Sequence, residues 1–264
     1  MPELPEVACF TQLFNEHCLR KKIVDIQCKT VSIIYGASCM QLKKSLIGNR
    51  FKMAVRRGKF LIAPLSNSSH YLVFHFGMTG SLAYGKQSKL SAREKKYAQF
   101  IITFANSDQL LWINIRKLGK IYFIASADEI GTLKKMGPDA LTLTQSEFLH
   151  ILAANERKNI KALLMDQSII AGIGNEYSNE ILFQAGIDPH HAVKDLDKKR
   201  QIHLYLVMQK VLKKAVSLCG AFGKMPSTWL LAQKHKVCPK NKKHMLKKAT
   251  IAGRSAWYCP EDQS

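Results

Sequence analysis

Proline at position 2, behind an initiator methionine, is the first residue whose chemistry stands out. A small second residue permits removal of Met1, and the exposed group is then a secondary amine. An α-amino group titrates at about 7.7–8.0, far below a lysine, so a useful fraction is unprotonated near neutral pH. Attack of such an amine on a sugar C1′ gives an iminium. The positive charge is an electron sink that acidifies the neighbouring C–H, and elimination of the 3′ phosphate follows. Glu3 lies beside this amine and offers a carboxyl group for proton transfer at the sugar. As three residues alone, Met-Pro-Glu reads more readily as an ordinary terminus.

Other residues supply anion-binding chemistry. Lys59 follows Gly58 and heads the apolar run Phe60-Leu61-Ile62-Ala63, so a rigid strand could aim its ammonium at an anion. Read alone it is a solvated strand end. Gly172, Gly174 and Asn175 form a tight turn opening a helix, whose backbone N–H groups suit phosphate. Asn175 adds a side-chain donor, and Lys161, one turn before Leu164, brings positive charge to the same place.

Stepping along the chain gives the elements that must hold these groups. Val7, Phe10, Leu13 and Phe14 have helical spacing over residues 4 to 18. Residues 22 to 127 then read as β, with strand candidates Ile23–Ile26, Lys52–Val55, Phe60–Leu65, Tyr71–Phe76, Phe100–Phe104, Leu110–Ile115 and Ile121–Ile124. A connector containing Gly137-Pro138-Asp139 precedes helical patterning at Phe148, Ile151, Leu152, Ile160, Leu163, Leu164, Ile181 and Leu182, and again over residues 196 to 219. The basic tail is strand-like at Met245-Leu246 and Ala256-Trp257-Tyr258. The pattern predicts an α+β chain: an N-terminal antiparallel β-sandwich with a terminal helix over 1–128, a linker over 129–145, a helical domain over 146–232 and a small hairpin over 233–264.

Lys and Arg number 40 against 19 Asp and Glu, a net charge of +21 that favours a polyanionic partner. No apolar run is long enough for a bilayer, and Glu3 and Glu6 stand where a signal peptide would be basic, so an intracellular nucleic-acid binder is expected. Seven cysteines, with Cys9, Cys18, Cys28 and Cys39 irregularly scattered, suit a reducing compartment and mostly free thiols.

The string Met1-Pro2-Glu3-Leu4-Pro5-Glu6-Val7 strongly resembles the opening of the formamidopyrimidine-DNA glycosylase/endonuclease VIII family, with Leu4 similar to the formamidopyrimidine branch. Further segments resemble it in family order: Arg57-Gly-Lys59-Phe60, His75-Phe-Gly-Met78-Thr-Gly-Ser81, Met136-Gly-Pro-Asp-Ala140, Ile160-Lys161 through Leu164-Met-Asp-Gln167, Ala171-Gly-Ile-Gly-Asn175 and Ile181-Leu-Phe183. The last three match the helix–two-turns–helix. Together they span essentially the whole chain.

The resemblance implies a bifunctional glycosylase and AP lyase of base-excision repair. It acts on damaged double-stranded DNA as a monomer, without a membrane, through a Pro2 iminium and β,δ-elimination. Pro2 would be the nucleophile, Glu3 the acid at the sugar, Glu6 an organiser of the terminal helix, and Lys59 a phosphate ligand. Lys161, Gly174 and Asn175 would bind phosphates flanking the lesion. Met78 would fill the gap left by the extruded base, with Arg116 and Leu118 facing the orphaned partner. Here the family's usual Asp-Pro is Asn114-Ile115 and its aromatic wedge is Leu118, which occupies space without stacking.

Two departures concern the C-terminal third. Family members commonly end in a zinc finger with paired Cys-x2-Cys motifs. This chain reads Cys238-Pro-Lys-Asn241 and Cys259-Pro-Glu-Asp262, one cysteine per half. Asparagine is a poor ligand for structural zinc, so a zincless hairpin without cofactor is expected, His235, His244 and Asp262 being the alternative ligands. Arg254 stands where the family's hairpin arginine enters the minor groove. The stretch Gly220–Trp229 is shorter than the branch's loop over 8-oxoguanine, which predicts better removal of ring-opened or saturated bases. Two other classes remain open on sequence: a catalytically idle DNA-damage binder on the same scaffold, and a basic RNA- or membrane-associated protein.

Overall fold

The structure is a computed structural model that describes residues 2–219, 225–232 and 236–264. The chain forms two compact units: Met1–Pro2 with Glu6–Lys134, and Glu3–Pro5 with Lys135–Ser264.

Among the described residues, the first unit holds most of helix α1 (Leu4–His17), nine strands and three short helices. The strands are β1 (Ile23–Cys28), β2 (Ile34–Tyr35), β3 (Val55–Arg57), β4 (Phe60–Pro64), β5 (Tyr71–His75), β6 (Gly80–Lys86), β7 (Ala98–Phe104), β8 (Asp108–Asn114) and β9 (Lys120–Ile124). Helices α2 (Cys39–Leu46), α3 (Ala92–Tyr97) and α4 (Gly131–Lys134) lie between or after them. One sheet has the order β1-β7-β8-β6 and the other β2-β9-β5-β4-β3. Every pairing is antiparallel except the short β2–β9 contact, which is parallel. Phe10 and Phe14 of α1 pack with Leu72, Phe74, Phe76, Phe100, Phe104 and Trp112 in one core fed by both sheets. That shared core makes the expected sandwich. A second cluster of Ala83, Leu90, Ala98, Ile101, Leu111 and Ile113 covers the other face of β6–β8, which is why β7 is apolar almost throughout.

Sequence patterning missed β6, whose Gly80, Gly85 and Lys86 dilute its alternation, and placed β3 three residues early. It also missed α2 and α3. Both carry an S-x-x-[QE] capping box, with Ser38 and Gln41 or Ser91 and Glu94 exchanging side-chain and backbone hydrogen bonds. The end of β1 and the start of α2 bring Cys28 and Cys39 to a Cα separation of 6.2 Å, where they form a disulfide. The expectation of mostly free thiols is corrected there, while Cys18, Cys238 and Cys259 are free.

The second unit holds α5 (Gln145–Ala153), α6 (Ile160–Met165), α7 (Asn175–Ala185), α8 (Lys198–Ser217) and the hairpin β10 (Lys247–Ile251) and β11 (Arg254–Tyr258). Helix α7 runs through its centre. Ile181 and Leu182 join a core with Leu4, Phe148, Leu163, Leu164, Leu204 and Met208, while Phe183 joins Leu230, Cys238, Leu246 and Cys259. Gly186, at φ +67°, ends α7 in the left-handed conformation that glycine adopts without penalty. Part of the expected linker is docked: Gly137 N–H donates to Gln167 O, and Ala171 N–H to Pro138 O.

The hairpin turn places Ala252 and Gly253 at φ +49° and +71°, between paired Ile251 and Arg254. Both central residues are left-handed, the geometry for which Asn-Gly is preferred. A left-handed alanine costs about 1 kcal/mol. Exposed Ala252 changed to Asn should therefore stabilise the protein by about 0.5–1 kcal/mol, seen as a higher urea midpoint with an unchanged m-value. An unchanged or lower midpoint would contradict this account of the turn.

Candidate functional site

Glu3 is fully buried, and its carboxylate is gripped by the start of α7. Oε2 accepts from Gly174 N–H at 2.6 Å and Tyr177 N–H at 3.3 Å, and Oε1 accepts from Glu176 N–H at 2.9 Å. These are among the orphan amides at a helix N-terminus, where the dipole favours negative charge. Gly174 is required by closeness, since a Cβ there would lie 2.4 Å from Glu3 Cδ. Leu4 N–H donates to Gly172 O, at φ +107°, and a Cβ on Gly172 would strike the Leu4 side chain. Gln167 braces the same turn, donating to Ile173 O and accepting from Gly172 N–H. The amides that sequence assigned to phosphate thus belong to Glu3. Gly174 acts through that carboxylate rather than on an external anion.

Lys161 is also corrected. Expected at a phosphate, it is fully buried. Its ammonium donates to Ser178 Oγ and Asn179 Oδ1 at 2.7 Å each and to Asn175 Oδ1 at 3.1 Å. Burial pushes its pKa down to about 8, against the opposing pull of Glu3 and Glu176. Lys161 therefore positions Asn175 and the first turn of α7 from beneath. Asn175 is half-buried, and its Nδ2 donates to Glu176 Oε1 at 3.2 Å.

In the first unit, Gly58 and Lys59 make the two-residue turn between β3 and β4, Gly58 at φ +54°. Lys59 sits at a hairpin tip rather than inside a strand. His75, at the end of β5 opposite Phe60, feels Lys59 and Lys120, but burial is the main reason its pKa falls to about 4. A neutral imidazole beside Lys59 is a functional candidate that the sequence reading passed over, although His75 opens a motif it had noted.

Met78, Arg116 and Leu118 come together on two adjacent loops and are exposed. Arg116 Nη1 lies 3.4 Å from Met78 Sδ. Buried Asn114 ties the loops: its Nδ2 donates to Phe76 O, and its Oδ1 accepts from Leu118 N–H. Arg116 N–H donates to Thr79 Oγ1. Asparagine can both donate and accept here, so the Asn114 departure keeps the loops paired. Ile115, 42% exposed on the same tip, is a further apolar group the sequence reading did not assign.

Pro2 is half-buried and covalently precedes Glu3, and Glu6 lies in the first turn of α1. Arg254 is exposed at the hairpin tip. At the hairpin base, Cys238, Cys259 and Asp262 hold their ligand atoms within 4.8 Å of one another, and His244 Nδ1 is 3.2 Å from Asp262 Oδ1. His235 and residues 220–224 of the short loop lie outside the described residues.

Comparison with known proteins agrees with this architecture. Residues 1–121 match the formamidopyrimidine-DNA glycosylase N-terminal domain, and residues 136–227 match the formamidopyrimidine-DNA glycosylase H2TH domain. The chain is similar to the formamidopyrimidine-DNA glycosylase of Arabidopsis thaliana, at 31% identity over 100% of this chain and 71% of that protein. It is 28% identical to that of Desulfitobacterium hafniense (strain DSM 10664 / DCB-2), over 98% of each. Among solved structures, Lactococcus lactis formamidopyrimidine DNA glycosylase bound non-covalently to AP-site DNA matches at TM-score 0.83 and 27% identity, covering 100% of both chains. MutM in complex with DNA containing carbocyclic 8-oxo-G matches at TM-score 0.85 and 27% identity, again over 100% of both. Fold and site define the class that joins a β-sandwich unit to a helix–two-turns–helix unit. Within that class, the chain belongs to the formamidopyrimidine-DNA glycosylase family.

The buried lysine gives a pH-resolved prediction. Changing Lys161 to Met strands the oxygens of Ser178, Asn179 and Asn175, at a cost of about 1–3 kcal/mol. The folded pKa of about 8 lies below the ordinary 10.5, so between those values the unfolded chain binds more protons and this group's stability contribution rises with pH. The urea stability difference between wild type and Lys161→Met should therefore widen from pH 8 to 10.5. Parallel pH profiles would rule out the lowered pKa.

Proposed function

We propose that the chain is a base-excision-repair DNA glycosylase and AP lyase acting on oxidised bases, with the Pro2 amine as nucleophile once Met1 is removed. The supporting observation is Glu3, the residue covalently next to Pro2, held as an acceptor by three backbone amides of α7. Three donated N–H bonds favour the ionised form of this carboxylate. It can take the proton from the prolyl ammonium, freeing the amine, and stand as counter-charge when the sugar becomes cationic. It then returns that proton to the sugar ring oxygen, which is the acid role the family resemblance implies.

The bonds balance in order. The Pro2 nitrogen bonds to C1′, and the glycosidic C–N bond breaks with its electron pair leaving on the base, which is protonated. The Pro2 nitrogen then loses its N–H proton, and breaking of the C1′–O4′ bond, with a proton placed on O4′, leaves an iminium at C1′. Loss of the C2′ proton expels the 3′ phosphate, and a second proton loss at C4′ expels the 5′ phosphate. Lys59 binds a phosphate near the lesion, and neutral His75 can accept or donate a hydrogen bond beside it. Met78, Arg116 and Leu118, exposed on loops that Asn114 ties together, fill the space of the extruded nucleotide. Glu6 steadies the first turn of α1, and Asn175 and Arg254 contact the DNA on the second unit. The net charge of +21 supports the same partner. Among the described residues, no helix is long and apolar enough to cross a membrane.

Borohydride trapping on a duplex with an abasic site tests the nucleophile. A reducible adduct should form, with the DNA mapped by mass spectrometry to the N-terminal peptide. Pro2 acylation by a retained Met1 should abolish it. An adduct on an internal lysine would displace Pro2, and binding without any adduct would leave the idle damage-binder reading.

Salt dependence separates surface cations from the buried one. Log affinity for undamaged duplex should fall with log salt, at about 0.9 per phosphate neutralised. Arg254→Ala should weaken binding and flatten that slope. Lys161→Ala should weaken binding through the α7 turn and leave the slope as in wild type, because its ammonium is buried. A flattened slope in Lys161→Ala would return that lysine to the phosphate contacts.

A further inference from the structure

One end of the five-stranded sheet gathers cations in a single row. Arg57 ends β3, Phe60 begins β4, His75 ends β5 and Lys120 begins β9. Their register is direct: Arg57 lies opposite Phe60, Phe60 opposite His75, and His75 opposite Lys120. Directly opposed residues share a face of a sheet, and the Phe60 and His75 rings are 4.8 Å apart there. Lys59, in the turn before Phe60, adds a further charge at the same end. The row also stands at the roots of both exposed loops, since Met78 follows shortly after His75 and Leu118 shortly precedes Lys120.

Lys120 is the cation of this row that neither the motifs nor the Pro2 chemistry use. It is exposed, and its ammonium lies over the Tyr35 ring, 4.9 Å from the centroid. Tyr35 is itself braced. It pairs with Tyr122 across the parallel β2–β9 contact, the ring centroids 5.3 Å apart. Gly36 follows at φ +81°, where a Cβ would strike Phe123 O, and the Cys28–Cys39 disulfide closes the stretch that carries both. A solvated strand end needs no such prop. Neighbouring like charges also disfavour the fold. Burial pushes the His75 pKa down to about 4, and Lys59 and Lys120 both push that ring the same way. An anion seated across the row offsets the repulsion. A cation–π contact at an exposed site contributes only about 0.5–1 kcal/mol, enough to orient an ammonium and too little to keep it from a phosphate.

On the reading of the chain as a DNA glycosylase, on which this contact rests, we infer that Lys120 binds a phosphate of the damaged strand, next along the row from the phosphate held by Lys59, and that Tyr35 positions it. Strands lie about 4.8 Å apart, so β4 to β9 covers about 10 Å, which corresponds to about three phosphates of one strand at about 3.4 Å of rise each. Two lysines at opposite ends of that interval reach separate phosphates without competing. His75 stands between them, and a neutral imidazole can donate one hydrogen bond to a phosphate oxygen. Phosphate contacts fix the register of a duplex on a protein. Two of them beside the roots of the Met78 and Leu118 loops hold the backbone while a nucleotide is extruded. Tyr35 touches no substrate and acts through Lys120, as a positioning residue.

Full-length protein and a duplex with a stable abasic-site analogue, carrying one neutral methylphosphonate at a time on either strand, test the contact. In wild type, neutralising the phosphate at Lys120 should weaken binding about five- to tenfold at about 0.1 M salt, the loss expected for one contact. Lys120→Gln should show the same loss on the unmodified duplex and lower the log–log salt slope by about 0.9. It should also become insensitive to that one methylphosphonate while still sensing the one at Lys59. Tyr35→Leu should weaken binding about two- to fivefold and have no further effect in a Lys120→Gln background. Tyr35→Phe keeps the ring and should behave as wild type. Lys89, exposed beyond β6 on the other sheet, is the control for bulk charge, and Lys89→Gln should leave the methylphosphonate pattern unchanged. Borohydride trapping at saturating abasic-site DNA should persist in Lys120→Gln. An unchanged slope in Lys120→Gln, an equal loss of slope in Lys89→Gln, or interference mapped only to the opposite strand would overturn the Lys120 contact and leave the Pro2 reading intact. Wild type that binds DNA without forming an adduct would overturn the Pro2 reading, and the methylphosphonate scan would still decide the contact.

Discussion

A single buried carboxylate organises the second unit. Glu3 spends both oxygens on the first amides of α7, and those bonds close a loop between residues 171 or more positions apart in sequence. Removing one partner would leave either a buried charge or unpaired amides, and each alternative is costly. The surrounding glycines follow from that closeness. Gly174 is glycine because Glu3 occupies the space of its Cβ, and Gly172 because Leu4 does. A turn that reads as an anion cradle in sequence is a cradle, and the anion it holds is the chain's own.

The buried lysine completes this arrangement from the opposite side. Lys161 takes no solvent and reaches the side chains of Asn175, Ser178 and Asn179, so the first turn of α7 is held by a carboxylate on its amides and an ammonium on its side chains. The two charges are opposite, and Glu3 favours the ionised form of Lys161 against the cost of its burial. Much of the basic excess lies on the surface, where it acts at long range. This one lysine acts at hydrogen-bond range on protein atoms.

The first unit handles its exposed loops differently. Asn114, wholly buried, supplies a donor to one loop and an acceptor to the next, and so fixes the backbones from which Met78, Arg116 and Leu118 project. The apolar tips remain in solvent at a cost to stability, a common feature of surfaces that meet a partner. On this basis the replacement of the usual aromatic by Leu118 changes what the tip can stack on while leaving its placement intact.

Local information in the chain determined a good deal. Period-3.6 and period-2 patterns located α1, α8 and most of the strands, because those elements bury one face against a core and repeat accordingly. The unusual opening residues and the motif order pointed to the family, since each motif is short and contiguous. What the sequence left undecided depends on atoms distant in the chain. Glycine-diluted β6 is a strand because β8 pairs with it along its whole length. Lys161 and Gly174 read as phosphate contacts until burial and the Glu3 bonds assign them inward. Cys28 and Cys39 read as free thiols until β1 and α2 bring them together. His244 and Asp262 are alternative ligands in the sequence, but only the fold brings them within 3.2 Å of each other. Hydrogen bonding and burial act over a few ångströms of space, and which side chains share those few ångströms is decided by tertiary structure alone.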